Sequence, residues 1–122
     1  LDVARILLAD DDGAMRDIIA RTLESSGHQV TATIGGIEAV EALQASATKF
    51  DLLLTDVQMP GIDGLELAKR AMRFDPALKV ILMSGFVDQL ARSSELGSSR
   101  VATIVKPFTL DQIRRVVGQL LA

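Results

Sequence analysis

Apolar residues along this chain follow two alternating patterns. Short apolar runs at residues 5–9, 29–33, 52–55, 79–83 and 102–105 are separated by longer segments in which apolar positions recur every three or four residues. Ile6-Leu7-Leu8, Leu52-Leu53-Leu54 and Val80-Ile81-Leu82-Met83 are apolar without alternation, the pattern of parallel strands covered on both faces. Val30-Thr31-Ala32-Thr33-Ile34 alternates, which predicts an edge strand. The intervening segments predict helices: Met15, Ile18, Ile19, Thr22 and Leu23 share one face, as do Ile37, Val40 and Leu43, and then Leu65, Ala68 and Met72. The last stripe, Leu110, Ile113, Val116, Val117, Leu120 and Leu121, is the most continuous. The fourth segment, residues 87–96, has a poor stripe and runs into Ser98-Ser99, so it predicts a short or mobile helix. Gly27, Gly35-Gly36, Gly64 and Asp75-Pro76 punctuate the boundaries.

Strict strand–helix alternation with short loops predicts a doubly wound α/β fold, with a parallel sheet and right-handed crossovers. No repeat or linker interrupts it, so residues 1–122 read as a single domain. The chain opens on Leu1-Asp2 without Met, which leaves its natural length open.

In such a sheet, chemistry collects outside the carboxyl ends of the strands. The first strand ends in Asp10-Asp11-Asp12, the third in Asp56, the fourth in Ser84-Gly85 and the fifth in Lys106-Pro107. The second ends in Ile34-Gly35-Gly36, which offers no reactive group. Asp56 is the telling case, because it ends a wholly apolar run and an unpartnered buried carboxylate costs several kcal/mol or more. Converging carboxylates repel one another, and an all-oxygen cluster without His or Cys suits a hard cation such as Mg²⁺. With a hydroxyl, a small Gly85 and an ammonium beside it, the set forms a cradle for a phosphoryl group attacked in line by a carboxylate.

Composition narrows the field further. Apolar residues make up 48% and charged residues 24%, ordinary for a globular protein, and the net charge of −3 comes without any basic run. Nucleic acid is therefore not expected as a primary partner. No apolar run approaches the ~20 residues of a membrane span, and Arg5-Ile6-Leu7-Leu8-Ala9 leads into acids rather than a small-residue cleavage site. With no Cys, there is neither a disulfide framework nor a thiolate metal site, and the chain is expected to be cytoplasmic.

Four stretches in register, "ILLADDDGAMR", "LLLTDVQMPGIDG", "VILMSG" and "IVKPF", resemble the receiver domains of two-component response regulators over essentially the whole chain. The resemblance implies a CheY-like, flavodoxin-like fold with five parallel strands in the order 2-1-3-4-5. It implies Asp56 as phosphoacceptor, served by a phosphohistidine on a histidine kinase or a histidine phosphotransfer protein. Mg²⁺ would be held by Asp10, Asp11, the Asp56 side chain and the Gln58 carbonyl. Ser84 would bond a phosphoryl oxygen and move on activation, and Lys106 would pair with it. Asp12 falls at a variable family position and is instead read as a helix cap. A cis bond at Lys106-Pro107 is also implied. Such a domain is not an enzyme beyond its own phosphorylation and dephosphorylation. It is expected to signal to a protein partner through the helix 4–strand 5–helix 5 face, as a monomer or weak dimer.

Two departures stand out. Receivers often carry an aromatic ring three residues before the Lys, where this chain has Thr103, and the residue two past Ser84 is the bulky Phe86, read as a screen between an acyl phosphate and water. Within the family, "LLLTDVQMPGIDGLELAKRA" and "DPALKVILMSGF" are similar to CpdR-type single-domain receivers of alphaproteobacteria. That similarity implies a stand-alone, phosphorylation-controlled adaptor for an AAA+ protease, with the unphosphorylated form active. A receiver module of a hybrid histidine kinase is the competing reading, since "VEAL" and "KPFTL" also suit one.

A haloacid-dehalogenase-type phosphatase is the alternative from another class: Asp10-x-Asp12, "VILMS" and Lys106 mimic its motifs. It leaves Asp56 without a role, however, and only Asp111 follows Lys106 as an acid. A degenerate receiver serving only as a binding module is a third possibility, opposed by the complete set of site residues. Met59-Pro60-Gly61 and Asp63-Gly64 read as turn chemistry, and His28 as a solvated turn residue rather than a phosphodonor.

Overall fold

A computed structural model describes residues 3–97 and 99–122; Leu1, Asp2 and Ser98, the first serine of the pair into which the predicted segment 87–96 runs, lie outside the described residues. The elements are β1 (Arg5–Ala9), α1 (Gly13–Ser25), β2 (Gln29–Thr33), α2 (Gly36–Ala45), β3 (Leu52–Asp56), α3 (Gly64–Phe74), β4 (Lys79–Ser84), α4 (Val87–Ala91), β5 (Val101–Val105) and α5 (Leu110–Leu121). A 3-10 segment, Arg92–Leu96, follows α4. The strands form one parallel sheet in the order β2-β1-β3-β4-β5, as the resemblance implied.

The unbroken apolar runs are explained by two cores, one on each face of the sheet. Leu7, Leu53, Val80 and Leu82 point to one side, where Leu65, Ala68 and Ala71 of α3 and Ala39 and Leu43 of α2 cover them. Ile6, Leu8, Leu52, Leu54, Ile81 and Met83 point to the other, against Ile19 and Leu23 of α1 and Ile113, Val117 and Leu121 of α5. Each fully buried aliphatic side chain is worth about 1.5–3 kcal/mol relative to exposure. Central strands with both faces covered therefore have no polar position to spare until they reach the sheet edge. β2 is the predicted edge strand, with only Thr33 buried.

The helical stripes are narrower than their sequence pattern. Ile18, Ile37 and Leu110 are exposed, because the apolar face of a surface helix extends past the line of contact with the sheet. The fourth helical segment is short, as its weak stripe foretold: five α-helical residues tighten into the 3-10 segment. Helix starts follow their capping residues. Asp12 accepts the Ala14 and Met15 N–H groups at 3.1 and 3.2 Å, Asp63 accepts Glu66 N–H at 2.8 Å, and Thr109 and Gln112 form a reciprocal capping box. His28 differs from its solvated reading: it is half-buried, and its Nδ1 accepts the Ala4 N–H at 3.0 Å, tying the α1–β2 turn to the start of β1. Among the described residues no helix is long and apolar enough to cross a membrane.

Candidate phosphoacceptor site

Parallel register brings the strand-end residues together. Ala9 lies opposite Thr55, which sets Asp10 and Asp56 abreast where β1 and β3 leave the sheet. β3 reaches one residue further than its apolar run, with Asp56 itself paired to Met83. β4 likewise includes Ser84, paired to Val105, so that Lys106 follows directly beside it. Backbone bonds hold this edge: Val57 N–H to Met83 O at 2.9 Å, Lys106 N–H to Ser84 O at 2.8 Å and Asp10 N–H to Thr33 O at 3.1 Å. The Lys106-Pro107 bond is cis.

Asp56 is buried, and its carboxylate is partnered. Lys106 Nζ donates to Oδ2 at 2.7 Å, and the Gln58 N–H donates to Oδ1 at 3.3 Å. The lysine thus answers the question of how a core strand ends on an acid. Asp10 is fully buried and only half satisfied. Its Oδ1 accepts the Asp12 N–H at 2.9 Å, while Oδ2 has no hydrogen-bond partner. Burial pushes the Asp10 carboxyl above the ordinary carboxylate range; the Asp12 N–H opposes this, the Asp56 charge adds to it, Lys106 opposes it and Asp11 adds to it. Asp11 is exposed at the rim. One carboxylate oxygen from each of Asp10, Asp11 and Asp56 lies within 4.8 Å of the others.

This donor set fits a hard divalent cation. Three carboxylates converge without His or Cys, and the buried orphan Oδ2 of Asp10 lacks the positive partner that such an atom requires. Ser84 is buried, accepts the Phe86 N–H at 3.0 Å and donates its hydroxyl to Gln89 Oε1 at 2.6 Å.

Some contributors left little trace in the sequence. Arg16 donates to the Asp10 carbonyl at 2.8 Å, bracing the acidic loop from one turn along α1. Gly64, read only as part of a turn, passes so close to the Asp56 carbonyl that a Cβ there would collide with it, and would sit 2.8 Å from Val57 Cα. The Asp63-Gly64 pair signalled the turn but not this contact. Gln89 had no signal, since its position depends on where α4 begins.

A family model for the response regulator receiver domain matches residues 6–118. The chain belongs to the response regulator receiver family. This receiver is 42% identical over 120 residues to the response regulator receiver protein CpdR of Brucella abortus (strain 2308), covering 97% of this chain and 98% of that protein. It is 31% identical to the sporulation initiation phosphotransferase F of Bacillus subtilis (strain 168), over 96% and 93% of the two chains. Among solved structures it resembles the receiver domain of the hybrid histidine kinase CckA, with a TM-score of 0.79, 33% identity and coverage of 97% and 99%. The fold is the expected flavodoxin-like one, and the domain is a signalling module whose family interacts with histidine kinases or phosphotransfer proteins. The phosphatase alternative gives way to this assignment, and Lys106 bonds Asp56, the acid for which that alternative had no use.

Proposed function

We propose that this receiver accepts a phosphoryl group on Asp56 from a phosphohistidine of a histidine kinase or phosphotransfer protein, and that the modification changes which protein it binds. The observation that carries this reading is the Lys106–Asp56 pair at 2.7 Å within a cluster that also holds Asp10 and Asp11. An Asp56 carboxylate oxygen attacks phosphorus in line. The N–P bond of the donor breaks with its electron pair going to the imidazole nitrogen, and an acyl phosphate forms. Lys106 stays within reach of both the carboxylate and the arriving phosphoryl oxygens, and Ser84 supplies a hydroxyl to one of those oxygens.

Asp10, Asp11, the Asp56 side chain and the Gln58 carbonyl would hold Mg²⁺. When bound, it supplies neutralisation of the phosphoryl oxygens and of the carboxylates' mutual repulsion. Phe86, 59% exposed, stands beside the Ser84 end of the site as a screen against water. Output runs through the α4–β5–α5 face, where Phe86, Val87, Val105 and Leu110 are exposed apolar side chains.

Phosphoramidate, a small N–P donor that mimics phosphohistidine, tests the reading. With Mg²⁺ the wild type gains one phosphoryl group by intact mass, whereas Asp56→Asn and chelated wild type do not. Equal uptake by Asp56→Asn would contradict it.

The 42% identity to CpdR over nearly all of both chains favours one specific role: a phosphorylation-controlled adaptor for an AAA+ protease, with the unphosphorylated form active. Capture of such a protease by Asp56→Ala but not by the phosphorylated wild type tests this against the hybrid-kinase reading.

A further inference from the structure

Ser84 has one hydroxyl proton, and two acceptors compete for it. A serine hydroxyl donates one hydrogen bond and accepts up to two. Here the acceptor side is used by the Phe86 N–H at 3.0 Å, and the donor side is committed to Gln89 Oε1 at 2.6 Å, at the short end for a hydroxyl donor. A phosphoryl oxygen on Asp56 has no hydrogen to give, so its bond to Ser84 requires that same proton. The two bonds are mutually exclusive.

Gln89 belongs to α4, which has little else to fix it. The helix is five residues long, its N-cap Phe86 makes no side-chain capping bond, and only Leu90 is buried. Phe86 and Val87 are 59% and 67% exposed. The backbone bonds from Gln89 and Leu90 N–H to Phe86 O lie within the turn and do not tether it to the sheet. Thr103, where many receivers carry an aromatic ring, is exposed and offers no ring to report on Ser84.

We propose that Gln89 is a positioning residue that holds the Ser84 hydroxyl away from the phosphoryl site, so that phosphorylation of Asp56 turns the Ser84 O–H from Gln89 to a phosphoryl oxygen and releases α4. The inference rests on the phosphoacceptor reading of Asp56 given above. It replaces an aromatic relay with a direct hydrogen-bond exchange between the site and the apolar residues of the output face. The same exchange sets how tightly the site holds a phosphoryl group, because binding must first break the Ser84–Gln89 bond.

Beryllofluoride with Mg²⁺, a phosphoryl mimic, titrated by ¹⁹F NMR, tests this. Gln89→Leu and Gln89→Met lack the amide acceptor, and both bind the mimic roughly 2- to 12-fold more tightly than wild type, the ratio one net hydrogen bond is worth. Gln89→Glu keeps an acceptor and shows no gain. In a Ser84→Ala background, Gln89→Leu changes affinity less than about 2-fold, as a thermodynamic cycle requires of a coupled pair. In wild type the amide resonances of Val87–Ala91 shift on binding, and in Gln89→Leu they start displaced toward the bound positions. Equal affinity of wild type and Gln89→Leu, or an equal gain in the Ser84→Ala background, would overturn the proposal while leaving the phosphoacceptor reading intact. Failure of wild type to form any adduct would overturn both.

Discussion

Asp10 illustrates how a single buried atom sets conflicting demands. Its carboxyl is pushed up first by burial, so its charged form weakens the fold when no cation is present. The contribution to stability is fully present below about pH 3.8, where the group is neutral in both states, and is lost as pH rises through the higher folded-state value. Asp10→Asn is therefore expected to stabilise the metal-free protein at neutral pH, because the amide carries no charge into the buried site. It should also abolish the rise in Tm that Mg²⁺ gives the wild type. Thermal melts with Mg²⁺ and with chelator check both halves.

Gly64 makes a second residue-scale case. A methyl group there meets backbone rather than a flexible side chain, so Gly64→Ala should cost about 1–3 kcal/mol and slow phosphoryl uptake by displacing Asp56. Gly118→Ala, inside α5 with open space around the added methyl, is the control and should do neither.

At the scale of elements, α5 and the 3-10 segment depend on different forces. The Thr109–Gln112 capping box fixes the start of α5, and Thr109→Ala should remove about 0.5–2 kcal/mol in denaturant melts without altering Asp56 chemistry. The 3-10 segment is held by surface charge. Glu95 takes hydrogen bonds from Lys69 at 2.8 Å and Arg92 at 2.9 Å, which draw its carboxyl down to about 2. A lowered carboxyl contributes above its unfolded value of 4.5, and the contribution is lost as pH falls through about 2. Because these groups are exposed, the effect is local and screened by salt. Amide protection in Arg92–Leu96, taken relative to the intrinsic exchange rate at each pH, is thus expected to fall between pH 4.5 and 2, and with Glu95→Gln, while the central strands are unaffected.

Across the whole molecule, the legible features were those fixed by burial and by strand ends. Unbroken runs such as Leu52-Leu53-Leu54 announced two-sided burial, and reading only the residues just past each run picked out Asp10, Asp11, Asp56, Ser84 and Lys106, which the fold brings to one end of the sheet. Features set by exact approach in space were not legible. Nothing in the letters marks Gln89 as the acceptor of the Ser84 hydroxyl, or Arg16 as the brace of the Asp10 carbonyl, because both depend on the helix register after a loop. Ile18 and Ile37 misled for the opposite reason: their spacing is right for a core, but the sheet does not extend beneath them. Asp56, the acid that ends β3, is the proposed point of modification. The most direct measurement is peptide mapping of the phosphoryl group after treatment with acetyl phosphate and Mg²⁺. The label is expected on Asp56 alone; a label on Asp10 would overturn the phosphoacceptor assignment.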